Sequence, residues 1–490
     1  MESRIRHRLL GIPTDALFLS LLGALCALRA LHIGLKDLSW GLMDDAAWSD
    51  GFARTWGHRS FWTYLTEQLA SDQNWGLVRP TYFTWSYWVY GWMPQVLGAS
   101  PSWVYALCFL NWILASGLWG WALSRFFPTK GVSAREAMVI FAIAFLSFGP
   151  SLNFVNLISL QERLAVTGFG ISFAAAAVLL TGKPRHRWLP HRWLPHRWLP
   201  WTAVFLGCAL ALGAKVTAFV FLIPLLGIIV SRRALPSHRT DRWIAACLAV
   251  LAGSWVLWTR TVSSHGSYTS AYSLAAWLQP TKVVTFLSRF VAYGGVWAFA
   301  VPLALVLFAV LRKEKERWLW IAGISLWFFT MLPWGIFGYY WGLATPFWAL
   351  ASGSILIAFR ERYLRERSKL WLQSVLLVVL TVVIGPRLER LLARSEQTKQ
   401  ATTWLQTIAT ERDQKIWINP PCEEARGALP ILTRRPGDDF AVWNGSLDSL
   451  RTGDIVAVWW ECSDMTSQAR STLKLTKDFG AWRFYTLPHL

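Results

Sequence analysis

Charge is scarce in this sequence. Only 16% of its 490 residues are Asp, Glu, Lys or Arg, well below the roughly 25% of soluble domains. A freely soluble globular chain is excluded on that ground. Acids are scarcer still, 28 against 48 basic residues. The resulting net charge of +20 does not point to nucleic acid, because the basic residues cluster in short segments between apolar runs and no nucleic-acid-binding motif is present. The chain also lacks a phosphate-cradling Gly loop, an HExxH, a CxxC and a nucleophile elbow, so cytosolic nucleotide chemistry has no support. A cleavable signal peptide is not evident either: a basic start leads into a full-length apolar run, which reads as a retained first helix.

Apolar residues are abundant, at 54% of the chain, and 34 are Trp. Mean hydropathy is +0.34. Trp favours the membrane–water interface, where both its apolar ring and its N–H are satisfied. The expected fold is therefore an all-α polytopic membrane protein. About 11 transmembrane helices are read at 9–30, 102–123, 136–151, 164–181, 201–213, 216–230, 243–258, 290–310, 318–333, 342–359 and 370–385.

With the N-terminus cytoplasmic, the inner segments 1–8, 124–135, 182–200, 231–242, 311–317 and 360–369 hold 24 Lys and Arg, and the outer segments before the tail hold 9. This follows the positive-inside rule. The aromatic segment 78–98 is read as a helix lying in the outer interface, within one long first loop (31–101). Counting it as a span would turn every later basic segment outward. The transmembrane domain is thus 1–385, and 386–490 is an extracytoplasmic C-terminal domain.

In that tail, 398–409 looks helical, and 415–419, 454–461 and 482–487 look like strands, giving a small α/β domain. Cys422 and Cys462 both fall there. An oxidising compartment allows them to pair, and two free thiols are the alternative. On the inner side, the tandem repeat HRWLPHRWLPHRWLP (186–200) offers Arg and Trp to anionic lipid or is a duplication in a tolerant loop; its His spacing is not a usual metal pattern.

The chemistry-bearing groups gather at the outer face. Asp44 and Asp45 stand in SWGLMDDAAWSD (39–50), just past the first span. Arg79 precedes Pro80 in the same loop. Glu162 and Arg163 (SLQERL) open the fourth span, and Lys215 lies between the fifth and sixth. A cation as poorly hydrated as Lys215 seeks an anion. Carboxylates beside cations on one membrane face suit transfer from a lipid-linked phosphosugar. The anion needs clamping, and an acceptor hydroxyl needs a base.

LMDDAAW (42–48), VRPTYF (78–83), GASPSWVYALCFLNWILASGLWGWAL (98–123), LGAKVTAFVFLIP (212–224) and YYWGLATPFWALASG (339–353) together make residues 9–360 similar to the GT-C superfamily of integral-membrane glycosyltransferases. The nearest likeness is to bacterial protein O-mannosyltransferases and lipid A aminoarabinose transferase. The resemblance implies an inverting transferase in the bacterial inner (cytoplasmic) membrane, working on its periplasmic side with a polyprenyl-phosphate-sugar donor and a lipid, glycan or protein acceptor. It implies Asp44 as catalytic base, Asp45 as its acidic neighbour, and Arg79 and Lys215 as phosphate ligands. Glu162, with Arg163, stands where relatives often carry a second-loop Asp, as an acid/base or substrate contact. Adjacent carboxylates also suit a divalent metal, which some family members do not need. A lipid-linked glycan flippase and a non-catalytic scaffold with a periplasmic domain are the rival readings.

Overall fold

The structure is a computed structural model. It describes residues 14–41, 44–74, 77–127, 132–181, 198–231, 238–262, 279–312, 323–325, 338–363, 384–409, 415–419, 423–434, 436–459 and 467–487. The fold is mostly helical with a small C-terminal sheet, which is compatible with a membrane protein. Among the described residues three helices are long and apolar enough to cross a membrane, or four if one bent pair is a single span.

Helix α1 (Thr14–Gly34) leads into the long loop before the next apolar helix. There α2 (Asp44–Gly51) and α3 (Phe61–Asn74) precede α4 (Pro80–Ser86). Pro80 suits the first turn of α4 because its missing N–H would be unpaired there anyway. The helix continues through a π-wound stretch, Tyr87–Trp92, to Met93–Leu97, and ends at Gly98 with φ +62°. Segment 78–98 is thus helical, as expected. Helix α5 (Pro101–Phe126) is the longest apolar helix, and α6 (Ala134–Ser147) starts at Ser133, whose side chain caps the Glu136 N–H.

The expected straight span 136–151 breaks instead. The chain bends by 81° after Ser147 and enters a 3-10 turn at Gly149–Leu152, where Pro150 suits a first turn but not a continuing helix. Helix α7 (Gln161–Thr181) packs on α8 (Trp198–Ala214). The two backbones cross closely, since a Cβ on Gly168 would meet the Gly207 carbonyl oxygen at 2.7 Å. Helices α9 (Leu222–Ser231) and α10 (His238–Val262) follow. The expected span 290–310 is also interrupted: α11 (Pro280–Gly294) and α12 (Trp297–Arg312) are separated at Gly295, whose φ of +51° only glycine adopts freely. Helix α13 (Thr345–Tyr363) packs on α6 and completes the described apolar helices.

Helix α14 (Gly385–Ala409) begins thirteen positions before the expected start at 398. Its first turns are clamped to the end of α1. Arg29 Nη1 lies 2.5 Å from Glu389 Oε1, Lys36 Nζ lies 3.3 Å from Glu396, and Ser39 and Ser395 exchange hydrogen bonds. Beyond it lie β1 (Ile416–Ile418), α15 (Glu423–Thr433), β2 (Phe440–Val442), β3 (Ile455–Trp459), α16 (Ser467–Thr472), β4 (Lys474–Asp478) and β5 (Trp482–Thr486). The sheet order is β2-β1-β3-β5-β4. Strands β2, β1 and β3 are parallel, with Ile416 opposite both Phe440 and Ile455; β5 runs antiparallel to β3 and β4. One face of the sheet packs Ile416, Phe440, Trp482 and Phe484 against Leu405 of α14 and Ala46 of α2. The C-terminal unit therefore sits directly on the helix that carries the paired aspartates.

Candidate functional site

Helix α2 is held between two layers. Toward the helical bundle, Asp45 is buried and its carboxylate accepts three hydrogen bonds. Tyr90 Oη donates at 2.6 Å, Ser159 N–H at 2.8 Å and Ile158 N–H at 3.2 Å. Burial pushes the Tyr90 phenol well above its usual range, and the Asp45 charge pushes it further, so Tyr90 stays protonated and donates. Asp44 opens the helix; its side chain lies outside the described part of the structure.

The 157–160 turn that meets Asp45 is fixed from its other side by Arg163. This fully buried guanidinium donates to the carbonyls of Phe154 (2.8 Å), Leu157 (3.2 Å) and Ile158 (2.8 Å) and to Cys108 Sγ (2.8 Å). It also sits 4.8 Å from the Trp85 ring centroid, and Trp85 Nε1 donates to the same Ile158 carbonyl. The acceptors around Nη1 and Nη2 offset most of the cost of burying this guanidinium, while its Nε has no acceptor among the described residues. Arg163 thus supports the backbone that grips Asp45.

Glu162, next in the chain, turns the other way. Its buried carboxylate lies 2.9 Å from Lys215 Nζ. Lys215 follows α8 directly and precedes a 3-10 turn, Val216–Phe221. The segments of Lys215 and Arg79 also touch, since a Cβ on Gly213 would stand 2.5 Å from Thr81 Oγ1. Arg79 itself forks onto the buried Asp72, with Nε 3.0 Å from Oδ2 and Nη2 2.5 Å from Oδ1, and lies over the Tyr82 ring at 5.1 Å.

Asp45, Arg79, Glu162, Arg163 and Lys215, drawn from four separate stretches of sequence, are therefore gathered at one end of the helical bundle. Each described charge there already has an internal partner. Tyr90, Trp85 and Asp72 are the participants that sequence reasoning missed. Tyr90 and Trp85 look like any two rings of an aromatic-rich helix, whereas Asp72, seven residues before Arg79, offered a weak spacing signal. Among the described residues no three His, Cys, Asp or Glu side chains gather as a metal site. Cys422 and Cys462 lie outside the described residues, as does the HRWLP repeat up to Arg197. Cys26, Cys108, Cys208 and Cys247 are free thiols.

No family model, curated protein or solved structure matches this chain.

Proposed function

We propose that the chain is an inverting glycosyltransferase of the GT-C type, moving a sugar from a polyprenyl-phosphate donor to an acceptor hydroxyl at the extracytoplasmic face of a bacterial inner membrane. In this reading about eleven spans carry the outer loop 31–101 and the C-terminal unit on the same side. The observation that carries the reading is the convergence of the outer-loop acids with Glu162 and Lys215 at one end of the apolar helices.

Asp44, the first residue of α2, takes the proton of the acceptor hydroxyl. The oxygen attacks the anomeric carbon, the bond from that carbon to the phosphate oxygen breaks, and polyprenyl phosphate leaves with the negative charge. Lys215 and Arg79 receive that charge, drawn from Glu162 and Asp72 when the donor is bound. Asp45 acts through position: anchored to Tyr90 and the 158–159 peptides, it fixes the rotation of α2 and so the direction of Asp44.

The test uses purified protein in lipid nanodiscs with a polyprenyl-phosphate sugar. Asp44→Asn keeps the size of the side chain but cannot accept a proton at neutral pH. Turnover is expected to fall by about 10²–10⁴-fold with donor binding retained. Transfer at the wild-type rate by this variant refutes the base assignment and removes the main support for the reading.

A further inference from the structure

A cleft of about 1330 Å³ opens between α2 and the C-terminal unit, larger than the roughly 300–1,000 Å³ of a small-molecule pocket. Its α2 wall is made by Ser49, Asp50, Ala53 and Arg54, toward the C-terminal end of that helix and beyond it. Trp40, Asp50 and Arg54 form one wall, and Lys399, Gln406 and Arg434 the other. Its charge is unbalanced. Asp50 is the single carboxylate of the lining and is engaged by Arg54, whose Nε lies 2.6 Å from Oδ1. Lys399, with its side chain 44% exposed, lies 3.8 Å from the exposed Asp37 carboxylate just outside the lining, and the exposed Arg434 adds a second cation to the cleft.

Arg434 carries a second signal. Its φ is +56°, the only positive φ of a non-glycine residue among the described residues. It follows Thr433, the last residue of α15, at the position where a left-handed turn usually selects glycine. A long charged side chain in a conformation that favours glycine points to a task for that side chain. Its guanidinium can fork onto a carboxylate or phosphate. Trp40, half-buried in the same lining with its ring centroid 5.2 Å from that of Tyr90, contributes apolar surface.

We infer that this cleft binds an anionic oligosaccharide, with Arg434 and Lys399 as its charge contacts and Trp40 against a sugar ring. Asp44 and Asp50 lie on one helix, about 9 Å apart along its axis at 1.5 Å per residue. A chain of a few sugars in the cleft thus reaches the start of α2. The cleft's role as acceptor subsite rests on the transferase reading above; the binding itself does not.

The experiment measures binding by calorimetry to full-length protein in phosphatidylcholine nanodiscs, without donor. The probes are a galacturonic acid oligomer, its neutral methyl ester, and a phosphorylated mannose oligosaccharide. Either charged probe is expected to bind at least 10-fold more tightly than the ester, and the stronger of the two identifies the anionic group. Arg434→Gly fits the left-handed turn, so its Tm is expected to hold or rise while affinity falls about 10-fold; Lys399→Gln is expected to weaken binding as well. Lys477→Gln, on the exposed strand β4, is the control for the +20 net charge. Failure of both charged probes to bind, equal binding of the ester, or equal loss in Lys477→Gln overturns the proposal. Binding without transfer in any assay removes the transferase reading and leaves the cleft; transfer unaffected by Arg434→Gly removes the acceptor role.

Discussion

Lys215 Nζ and Glu162 Oε1 lie 2.9 Å apart, with the Glu162 side chain buried and that of Lys215 15% exposed. Removing one member of such a pair leaves a buried charge without compensation and costs about 3–5 kcal/mol. Lys215→Ala is therefore expected to lower stability, and under the proposed function also to raise the KM for donor. The double variant Lys215→Ala/Glu162→Ala removes both charges and is expected to recover most of the stability but none of the donor affinity. Thermal unfolding beside donor titration separates the two effects. A double variant with wild-type donor affinity excludes Lys215 from the phosphate site.

Tyr90→Phe removes one of three donors to the Asp45 carboxylate and leaves the ring packing in place. Hydrogen bonds to charged groups contribute about 1.5–3 kcal/mol. A loss of that size in denaturant unfolding is expected. A neutral outcome means that the 158–159 peptides alone hold Asp45.

Glu389 makes the clamp between α1 and α14 sensitive to acid. Burial pushes its carboxyl up, but the hydrogen bond and charge of Arg29, with Lys36 and His32, outweigh that and hold it below its ordinary value of 4.5. Because the folded value is depressed, the contribution is present above the ordinary value and lost as pH falls through the folded one. Tm is expected to drop on acidification below about pH 4.5 more steeply in the wild type than in Glu389→Gln. Parallel curves for the two proteins discard the linkage.

The α7–α8 crossing depends on small residues. A Cβ at Gly207 would stand 2.4 Å from both the Gly168 carbonyl oxygen and Ser172 Oγ, and close approach through small residues is how apolar helices associate without a hydrophobic drive between them. Gly207→Leu is expected to cost at least about 1–3 kcal/mol through overpacking and to displace the Lys215 end of α8. Reduced yield of monodisperse protein in detergent, with Gly207→Ala milder, is the readout.

Legibility in the sequence followed burial. Strands β1, β3 and β5 have buried faces, and their apolar patterns marked them. Strand β4 escaped because all five of its residues are exposed, and β2 because only Phe440 of its three residues is buried, where equally short β1 buries Ile416 and Ile418 in alternation. The breaks at Gly149–Pro150 and at Gly294–Gly295 were written in helix-breaking residues, yet continuous hydrophobicity hid them. For the site, position relative to apolar runs was enough to single out Asp45, Glu162 and Lys215. Their partners were not legible: Tyr90 and the Ile158 and Ser159 N–H groups are brought to Asp45 across 45, 113 and 114 positions by packing alone. The order of motifs along the chain contained no information on who pairs with whom.

The helix bearing Asp44 and Asp45 has its second face covered by residues made much later. Ser39 and Ser395, which lock α14 beside that helix, are 356 positions apart, and Ala46 shares an apolar cluster with Trp482 and Phe484. At about 5–20 residues per second, roughly 20–70 s of translation separate the two. Over that interval the nascent chain exposes the outer face of α2, so a ribosome that stalls before the tail releases a membrane-inserted but incompletely assembled protein. Full assembly of this end of the molecule thus reports that synthesis has passed the C-terminal sheet.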